Sequence, residues 1–575
     1  MTLQQTLSSG RLARHPLYAI VCPTASRWER TCTCSPCALH TLQRLLRFAC
    51  RAGLGSAAAR KLIMALGYRP VNRDQMMLLP PDLRDWLSPQ HFVWFLLAVL
   101  DEVDVSGFEA GRRLGSVGRE GYDPRMLLGL VIYGYAHGQR SSRRIEELCC
   151  TDVAFRVICA QDAPDHTTIA RFRQANDEAV AELFVRVLEL AGEAGLGRVG
   201  VVAVDGTRIA ANASWAANRR RSWLREQVKE AMAEAARVDT EEDARFGVEV
   251  NGGEVDQCWI DPATRAGRIK TALARAEQLV EQQSAAQDAR VASWQDRVVG
   301  AAERHGREWA AAEQRHRAYQ QQQAAADRGE GPKPWRRPAP PPDQAATTRK
   351  AAAQLDQVQA RRDAAAAAAA SARAARDPVV NLTDPDSGWM PTGKGWIQGY
   401  NTQLAVSEDQ IVLGVKVTNA TVDVEQFEPM LAAAARGAEA LNRGRARRGT
   451  PAEAIAQVLA DAGYFSEHNL TMPGPDRLIA PTKRQQLEHL AHCPNADRDG
   501  EPPTDSRAAM KARLNDPDAV AAYRRRGVIV EPVNGHLKDR HGLRQYSRRG
   551  QPAAQAETEL AGITANLLKI WRYRS

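Results

Sequence analysis

The sequence predicts a mixed α/β protein, with helices ahead of a strand-containing domain that a long helical insertion interrupts. A valine-rich apolar run at residues 197–204 is typical of a buried strand. Helix-forming sequence rich in Ala, Glu, Gln and Arg then continues for about 170 residues, until strand patterns return near residue 399. Dense apolar periodicity between residues 68 and 196 indicates several short helices before the first strand.

Helix-start signals divide the region before the first strand. They are Asp123-Pro124 and Ser141 or Ser142, and a third short helix is predicted to follow Asp165-His166-Thr167-Thr168. A longer helix is predicted over about residues 177–194. Arg171 and Arg173 occupy polar positions in the third of these helices. Short helices with arginine-bearing turns are typical of helical DNA-binding modules, and equally of an all-α packing domain with surface arginines.

The second half of the chain returns to alternating strand and helix patterns. Two apolar runs, at 399–406 and 411–418, are separated by four polar residues and predict a hairpin. A helix follows over about 423–440, and further strands are predicted at 454–459 and 476–480. The intervening insertion contains a proline-rich break at 331–343, so we expect long helices or a partly disordered segment with a stiff spacer.

Composition excludes several classes of protein. The longest apolar runs, at 91–100 and 126–136, have about half the residues that a membrane-spanning helix needs. The N-terminus has no secretion signal, and the ten cysteines do not form a disulfide framework, since five lie within the first 50 residues. We therefore expect a cytoplasmic protein without a membrane partner.

The net charge of +9 is unevenly distributed. Residues 1–74 contain eleven Lys or Arg and two acidic residues, whereas the remaining 501 residues contain 66 of each sign. Attraction for phosphate in that larger part must therefore come from local clusters. One such cluster, at 521–550, has eight Lys or Arg and only Glu531 and Asp539 as acids.

Three acidic residues lie at positions that are typical of a catalytic or metal-binding site. Asp205 directly follows the first predicted strand, and Asp461 directly follows the strand at 454–459. If these strands are neighbours in one sheet, both carboxylates face a common crevice. Glu531 lies within the basic cluster. Such carboxylates suit Mg²⁺ or Mn²⁺, although an Asp after a strand is more often a turn or helix cap when taken singly.

Seven ordered segments resemble the DDE transposases of bacterial insertion sequences. Four lie in and after the strand region: AVDGTRIAANAS (203–214), DPDSGWMPTGKGWIQGYNTQLAV (384–406), LADAGYFS (459–466) and YRRRGVIVEPVNGHLKDRHGLRQYSRRG (523–550). Three lie in the preceding helical region: LLPPDLRDWLSPQHFVWFL (78–96), DPRMLLGLVIYGYAHGQRSSRRIEELC (123–149) and PDHTTIARFRQ (164–174). The resemblance covers about residues 68–214 and 377–571 and leaves the first 65 outside it.

The resemblance implies an RNase H-like mixed sheet with Asp205, Asp461 and Glu531 as the catalytic and metal-binding triad. It also implies DNA-binding roles for Tyr523, for Arg525 or Arg526, and for Lys538, Arg540, Arg171 and Arg173. The interval between Arg526 and Glu531 is one residue longer than the family's common form, so either arginine fits the signature. Pro532 follows Glu531 directly and places that glutamate at a helix start.

A domain organisation follows from these patterns and from the resemblance. Residues 1–67 are an extension that we expect to be poorly ordered, and they are hypothesised to be upstream sequence read through from an early start codon. Residues 68–196 form the helical DNA-binding domain, 197–214 and 377–575 form the catalytic domain, and 215–376 form the helical, low-complexity insertion.

The implied activity is metal-dependent cleavage of DNA at terminal inverted repeats, followed by strand transfer to target DNA. Its cofactor would be Mg²⁺ or Mn²⁺, as two ions. Its partners would be double-stranded DNA and, in the DNA complex, a second copy of the chain. This complex would be associated with the nucleoid. The alternatives are a DNA-binding protein that has lost cleavage and a nuclease of the same fold.

Two other pairs of residues have competing interpretations. Asp384 and Asp386 stand in a DPDSG turn, where turn formation is favoured over metal binding. Trp389 and Trp396 can stack on an unpaired base or pack within the hairpin.

Overall fold

The computed structural model describes residues 82–109, 121–246, 261, 264–334, 337–482 and 505–574. These residues belong to one compact unit, Pro80–Ser575. The extension predicted at residues 1–67 lies outside them.

Six helices precede the first strand in the described residues. They are α1 (Phe92–Glu102), α2 (Pro124–Ala136), α3 (Ser142–Thr151), α4 (Val153–Ile158), α5 (His166–Ala175) and α6 (Asp177–Ala194). The predicted cap of α2 is confirmed, since Asp123 accepts a hydrogen bond from the Arg125 amide at 2.7 Å. Asp165 is the N-cap of α5 and accepts from the amides of Thr167 and Thr168. Ser141 is the N-cap of α3, but its side chain makes no capping bond.

The sheet is mixed, as the sequence predicts. Its strands are β1 (Val201–Ala210), β4 (Gly388–Thr392), β5 (Gly395–Ser407), β6 (Val412–Thr418), β7 (Gln457–Ala460) and β8 (Asp476–Ile479). The order is β4-β5-β1-β7-β8, and β6 also pairs with β5. β1 runs antiparallel to β5 and parallel to β7, so it lies at the centre of the sheet.

The end of the first strand was predicted wrongly. The sequence pattern ends the first strand at Val204, but β1 continues to Ala210 and pairs with β5 over that whole length. Asp205 therefore lies in the interior of β1, opposite Leu404. The long partner strand supplies hydrogen bonds to residues whose polar character suggests a turn, and this pairing cannot be read from residues 205–210 alone.

The insertion is helical and is closed at its base by a small sheet. β2 (Asn218–Arg220) pairs with β3 (Val379–Asn381), and between them stand α7 (Arg221–Phe246), α8 (Arg265–Asp327) and α9 (Ala346–Ala375). α8 and α9 pack along each other as a helical hairpin. Partly buried positions of α8 recur at three- and four-residue intervals, as in Val291, Trp294, Val298, Ala301 and His305, which is the spacing of a coiled-coil seam.

The remaining elements complete the core around the sheet. They are α10 (Phe427–Arg447), α11 (Glu467–Thr471), α12 (Ser506–Arg513), α13 (Pro517–Ile529), α14 (Glu531–Asp539) and α15 (Gln551–Arg574). α15 packs against α2, α6 and β6, and α10 packs against α6. The helices before β1 and the sheet consequently share one hydrophobic core.

Candidate active site

Asp205 and Asp461 lie at corresponding positions of two neighbouring parallel strands. Val204 of β1 is in register with Ala460 of β7, and the residues that follow them, Asp205 and Asp461, are the two aspartates. Asp461 also caps a short 3-10 helix, since its carboxylate accepts the Gly463 amide at 2.9 Å. The adjacency predicted from the sequence is therefore confirmed, although Asp205 reaches it from within its strand.

Burial perturbs both aspartates. Removal from water raises the pKa of Asp205 to about 6; Arg526 opposes this increase, and the negative charges of Asp461 and Glu531 add to it. Burial also raises the pKa of Asp461, and Arg526 again opposes the change. Both carboxyl groups are therefore harder to ionise than in water, and a cation bound between them would favour their ionised forms.

Arg526 supplies a cation at this point. Its Nη1 lies 3.2 Å from Asp205 Oδ1, and its Nη2 lies 3.7 Å from Glu531 Oε1. Arg525, by contrast, pairs with Glu408 at 2.8 Å. Of the two arginines that fit the signature, Arg526 is therefore the one in the site. Tyr523 is buried beside it, and this burial raises the pKa of its hydroxyl.

α14 brings three further side chains to the site. Glu531 is its first residue, as Pro532 predicts, and its side chain is 54 % exposed. Asn534 Nδ2 donates to Asp205 Oδ2 at 2.9 Å. Lys538 Nζ donates to Thr207 Oγ1. Lys538 thus lies beside β1, and its partial burial lowers the pKa of its ammonium group.

Sequence reasoning missed Asn534. Its amide holds one oxygen of Asp205, while its own Oδ1 is buried and has no hydrogen-bond partner. A buried acceptor without a donor is uncommon and indicates a group that a bound ligand or water completes. The three-residue spacing from Glu531 on one helix is the signal that would have selected Asn534, because residues at i and i+3 share a helix face.

A fourth carboxylate, Asp423, was also missed. It accepts Asn401 Nδ2 and Gln403 Nε2, each at 2.7 Å, and it pairs with Arg208 at 3.2 Å. A Cβ atom placed on Gly206 would lie 2.8 Å from Asp423 Oδ1, so the network abuts the backbone next to Asp205. No predicted strand ends immediately before Asp423, so the criterion that selected Asp205 and Asp461 from the sequence does not select it.

The donor chemistry of the site fits a hard divalent cation. Two buried aspartates, a glutamate and the unpartnered amide oxygen of Asn534 offer the oxygen ligands that Mg²⁺ and Mn²⁺ prefer. In the arrangement described, the Arg526 guanidinium stands between Asp205 and Glu531. Within the described parts of the chain, no group of three acidic, histidine or cysteine side chains is close enough to hold a metal ion as it stands.

The other predicted DNA-binding residues fall into two groups. Arg171 and Arg540 are exposed. Arg173 is buried, and it donates to Arg140 O at 2.7 Å and to Tyr135 Oη and Ser547 Oγ, each at 3.1 Å. These contacts engage the Arg173 guanidinium inside the protein, so its position favours a structural role over contact with DNA.

The DPDSG turn is structural around Asp384. This residue is buried and accepts the Tyr400 hydroxyl at 2.7 Å and the Gly550 amide at 3.2 Å. Trp389 stacks on Trp215 with ring centroids 5.1 Å apart, and Trp396 is 61 % exposed. Trp389 is 46 % exposed and packs on Trp215, a residue outside the hairpin, so the predicted packing within the hairpin is not what the structure shows.

Two family models match the sequence. Residues 81–175 match a model described as Transposase domain (DUF772), and residues 499–571 match one described as Transposase DDE domain. The second range contains Glu531, whereas Asp205 and Asp461 lie outside both. Searches of the curated proteins and of the solved structures found no significant match.

Both matched models are transposase domains. The two matches support an insertion-sequence DDE transposase, in agreement with the sequence motifs. This family generally uses divalent metal ions. In the described residues, no helix has the length and apolar character needed to cross a membrane.

Proposed function

We propose that this protein binds the terminal inverted repeats of its own element, cleaves DNA at the ends and joins the freed 3′ hydroxyl to target DNA. The observation that carries the proposal is the convergence of Asp205, Asp461 and Glu531 around Arg526, at the centre of a mixed sheet. Asp205, Asp461 and Glu531 are the proposed catalytic triad on an RNase H-like core. Mg²⁺ or Mn²⁺, as two ions, is the proposed cofactor.

Asp205 and Asp461 would hold the metal, with Glu531 completing the set. A bound divalent ion activates an oxygen nucleophile and stabilises the leaving oxygen of a phosphodiester. Arg526 offsets the negative charge of the carboxylates, and its partner Glu531 lies at the solvent-exposed side of the site. Asn534 fixes one oxygen of Asp205 so that the other remains directed at Arg526.

Lys538 of α14 and Arg540, the C-cap residue of this helix, are the proposed phosphate contacts at the site, and Arg171 is a proposed DNA contact of the helical region. Lys538 is anchored on Thr207, two residues beyond Asp205, so its ammonium group stays beside the aspartates. Tyr523 is proposed to position Arg526, against which it is buried. The proposed assembly is a homodimer on double-stranded DNA in the nucleoid, because two element ends must be brought together.

The first prediction tests the triad. Asp205→Asn, Asp461→Asn and Glu531→Gln should each reduce metal-dependent cleavage by at least 100-fold, because each removes an anionic oxygen ligand. The substrate is a labelled DNA fragment that carries this gene with its flanking sequence, incubated with Mg²⁺ or Mn²⁺. Duplex binding, measured in EDTA, should persist in all three variants. Glu428→Gln, on an exposed acid of α10, is the control and should cleave like the intact chain.

Three results would redirect the proposal. Binding without cleavage by the intact chain would favour a DNA-binding protein that has lost catalysis. Hydrolysis without joined products from labelled ends would favour a nuclease of the same fold. Cleavage that survives Glu531→Gln would show that the third carboxylate lies elsewhere, and Asp423 would be the next residue to substitute.

A further inference from the structure

The helical hairpin formed by α8 and α9 carries an excess of positive charge. Residues 265–376 contain 20 Lys or Arg and 12 Asp or Glu. Residues 75–575 as a whole contain 66 of each sign, so the rest of this stretch has 46 basic and 54 acidic residues, and the hairpin is basic against a net acidic remainder. Such a local field attracts polyanions.

Four arginines of α8 form a stripe on one side of the helix. Arg290, Arg297 and Arg304 recur every seven residues, about two helical turns, and Arg315 follows about three turns later. On a straight helix the four side chains fall within about 40° of one another. Of the eight acidic residues of α8, only Glu308, which lies in the seam against α9, falls near this stripe.

The stripe arginines are exposed and have no carboxylate partner. No ion pair joins any of the four to an acidic residue in the described part of the chain, and Arg297 stacks over the Trp294 ring at 4.7 Å. Arg361 of α9 lies over the same ring at 5.8 Å, so the second helix adds charge to this side of the hairpin.

Four other arginines of the insertion differ in this respect, whereas the exposed Arg349 and Arg361 of α9, like the stripe, have no ion pair within the described residues. Arg307 pairs with Glu303 at 4.0 Å, and Arg317 pairs with Glu313 at 2.5 Å. Arg237 of α7 pairs with Glu234 and Glu241, and Arg328 pairs with Glu330. Carboxylates therefore neutralise the charges of these four arginines, whereas the charges of the stripe arginines are not neutralised by ion pairs.

We propose that the stripe Arg290, Arg297, Arg304 and Arg315 binds the phosphate backbone of double-stranded DNA. This inference rests on the proposed function only in taking DNA as the partner. From Arg290 to Arg315 the helix rises about 38 Å, close to the 34–36 Å of one turn of duplex. Guanidinium groups suit phosphate oxygens, and a row that touches only phosphates binds without regard to base sequence.

The second prediction tests this surface through the salt dependence of binding. The full chain is titrated onto a labelled 40-bp duplex of mixed sequence, in EDTA, between 50 and 200 mM NaCl. A variant with all four stripe arginines changed to Gln should bind at least tenfold more weakly at 100 mM NaCl. Its plot of log affinity against log salt should be shallower by about 3, since each lost phosphate contact removes close to one unit of slope.

A charge-matched control separates the stripe from net charge. Arg237, Arg307, Arg317 and Arg328, all changed to Gln, remove the same four positive charges, but from carboxylate-paired positions. This variant should bind within twofold of the intact chain. Changing the four stripe arginines to Lys should restore most of the slope, because the charges are kept. Circular dichroism at 222 nm checks helix content in each variant.

Each outcome bears on the proposal. Equal weakening by the stripe and control variants, or binding by the stripe variant that matches the intact chain, would overturn it while leaving the proposed function intact. No duplex binding by the intact chain would overturn both. A stripe variant that loses only self-association, measured by light scattering, would assign the surface to a second copy of the chain. If the fourfold variant loses helix content, Arg290→Gln with Arg304→Gln should give about half the change in slope.

Discussion

At the residue scale, the site depends on acidic groups buried beside one arginine. Asp205 carries a side chain that is 15 % exposed, and its nearest cation is Arg526 at 3.2 Å. Because desolvation exceeds the attraction of Arg526, the folded protein holds the proton of Asp205 more tightly than the unfolded chain does. Strongly perturbed carboxylates are common at functional sites, and the proposed role of Asp205 in metal binding would account for this cost.

The third prediction concerns the pH dependence of that cost. The pKa of Asp205 is about 6 in the folded state against an ordinary value of 3.8, so the folded state holds the proton more tightly. Stability is therefore lost as pH rises from about 4 to 6, and the cost is complete above 6. The stability of Asp205→Asn relative to the intact chain should increase by about 2–3 kcal/mol between pH 4 and pH 8.

Urea denaturation in EDTA measures this difference. Loss of the Arg526 partner adds a separate destabilising contribution to Asp205→Asn, so the informative quantity is the change in relative stability between the two pH values. Asp356→Asn removes an exposed carboxyl of α9 and controls for net charge. A relative stability of Asp205→Asn that stays constant or falls toward pH 8 would contradict the prediction.

At the element scale, glycines set how closely α6 and α10 approach each other. A Cβ atom on Gly444 would lie 1.9 Å from the carbonyl oxygen of Glu189, and one on Gly192 would lie 2.2 Å from that of Leu441. The two helices therefore touch through their backbones. This contact joins the helical region before β1 to a helix that covers the sheet.

The fourth prediction contrasts this contact with an open position. Gly444→Ala should destabilise the protein by about 2–3 kcal/mol, because neither backbone can yield without moving a helix. Gly306→Ala, on α8 with no atom within 4 Å of the added methyl, should stabilise its helix by about 0.5–1 kcal/mol. Thermal unfolding followed at 222 nm should show a midpoint lower by several degrees for Gly444→Ala only. Equal midpoints would disprove the close contact.

At the scale of the whole molecule, one buried glutamate connects distant segments. Glu557 of α15 accepts Arg140 Nη1 at 3.1 Å, the Ser547 and Arg548 amides at 3.0 and 2.7 Å, and lies 3.7 Å from Arg173. Arg140 follows α2, Arg173 belongs to α5, and Ser547 and Arg548 precede α15. The carboxylate thus links the helical region to the last helix of the chain.

The fifth prediction tests this connection. Glu557→Gln should destabilise the protein by about 3–5 kcal/mol, because it leaves the guanidinium of Arg140 in the interior without its counter-charge. Glu559→Gln is the control on the same helix: this residue accepts a single hydrogen bond, from Gln555, and burial raises its pKa. The midpoints of urea denaturation measure the stability of both variants. Equal destabilisation of the two would show that Glu557 does not connect these segments.

The sequence by itself determined the mixed α/β class, the cap of α2, the hairpin of β5 and β6, and the placement of Glu531 at a helix start. These features depend on residues within a few positions of one another. Tertiary structure alone decided that Asp205 lies inside β1, that Arg526 and not Arg525 enters the site, and that Asn534, 329 residues away, holds Asp205. It also decided which arginines of α8 lack carboxylate partners. Such outcomes depend on which strands and helices pack together, and local periodicity and charge counts do not contain that information.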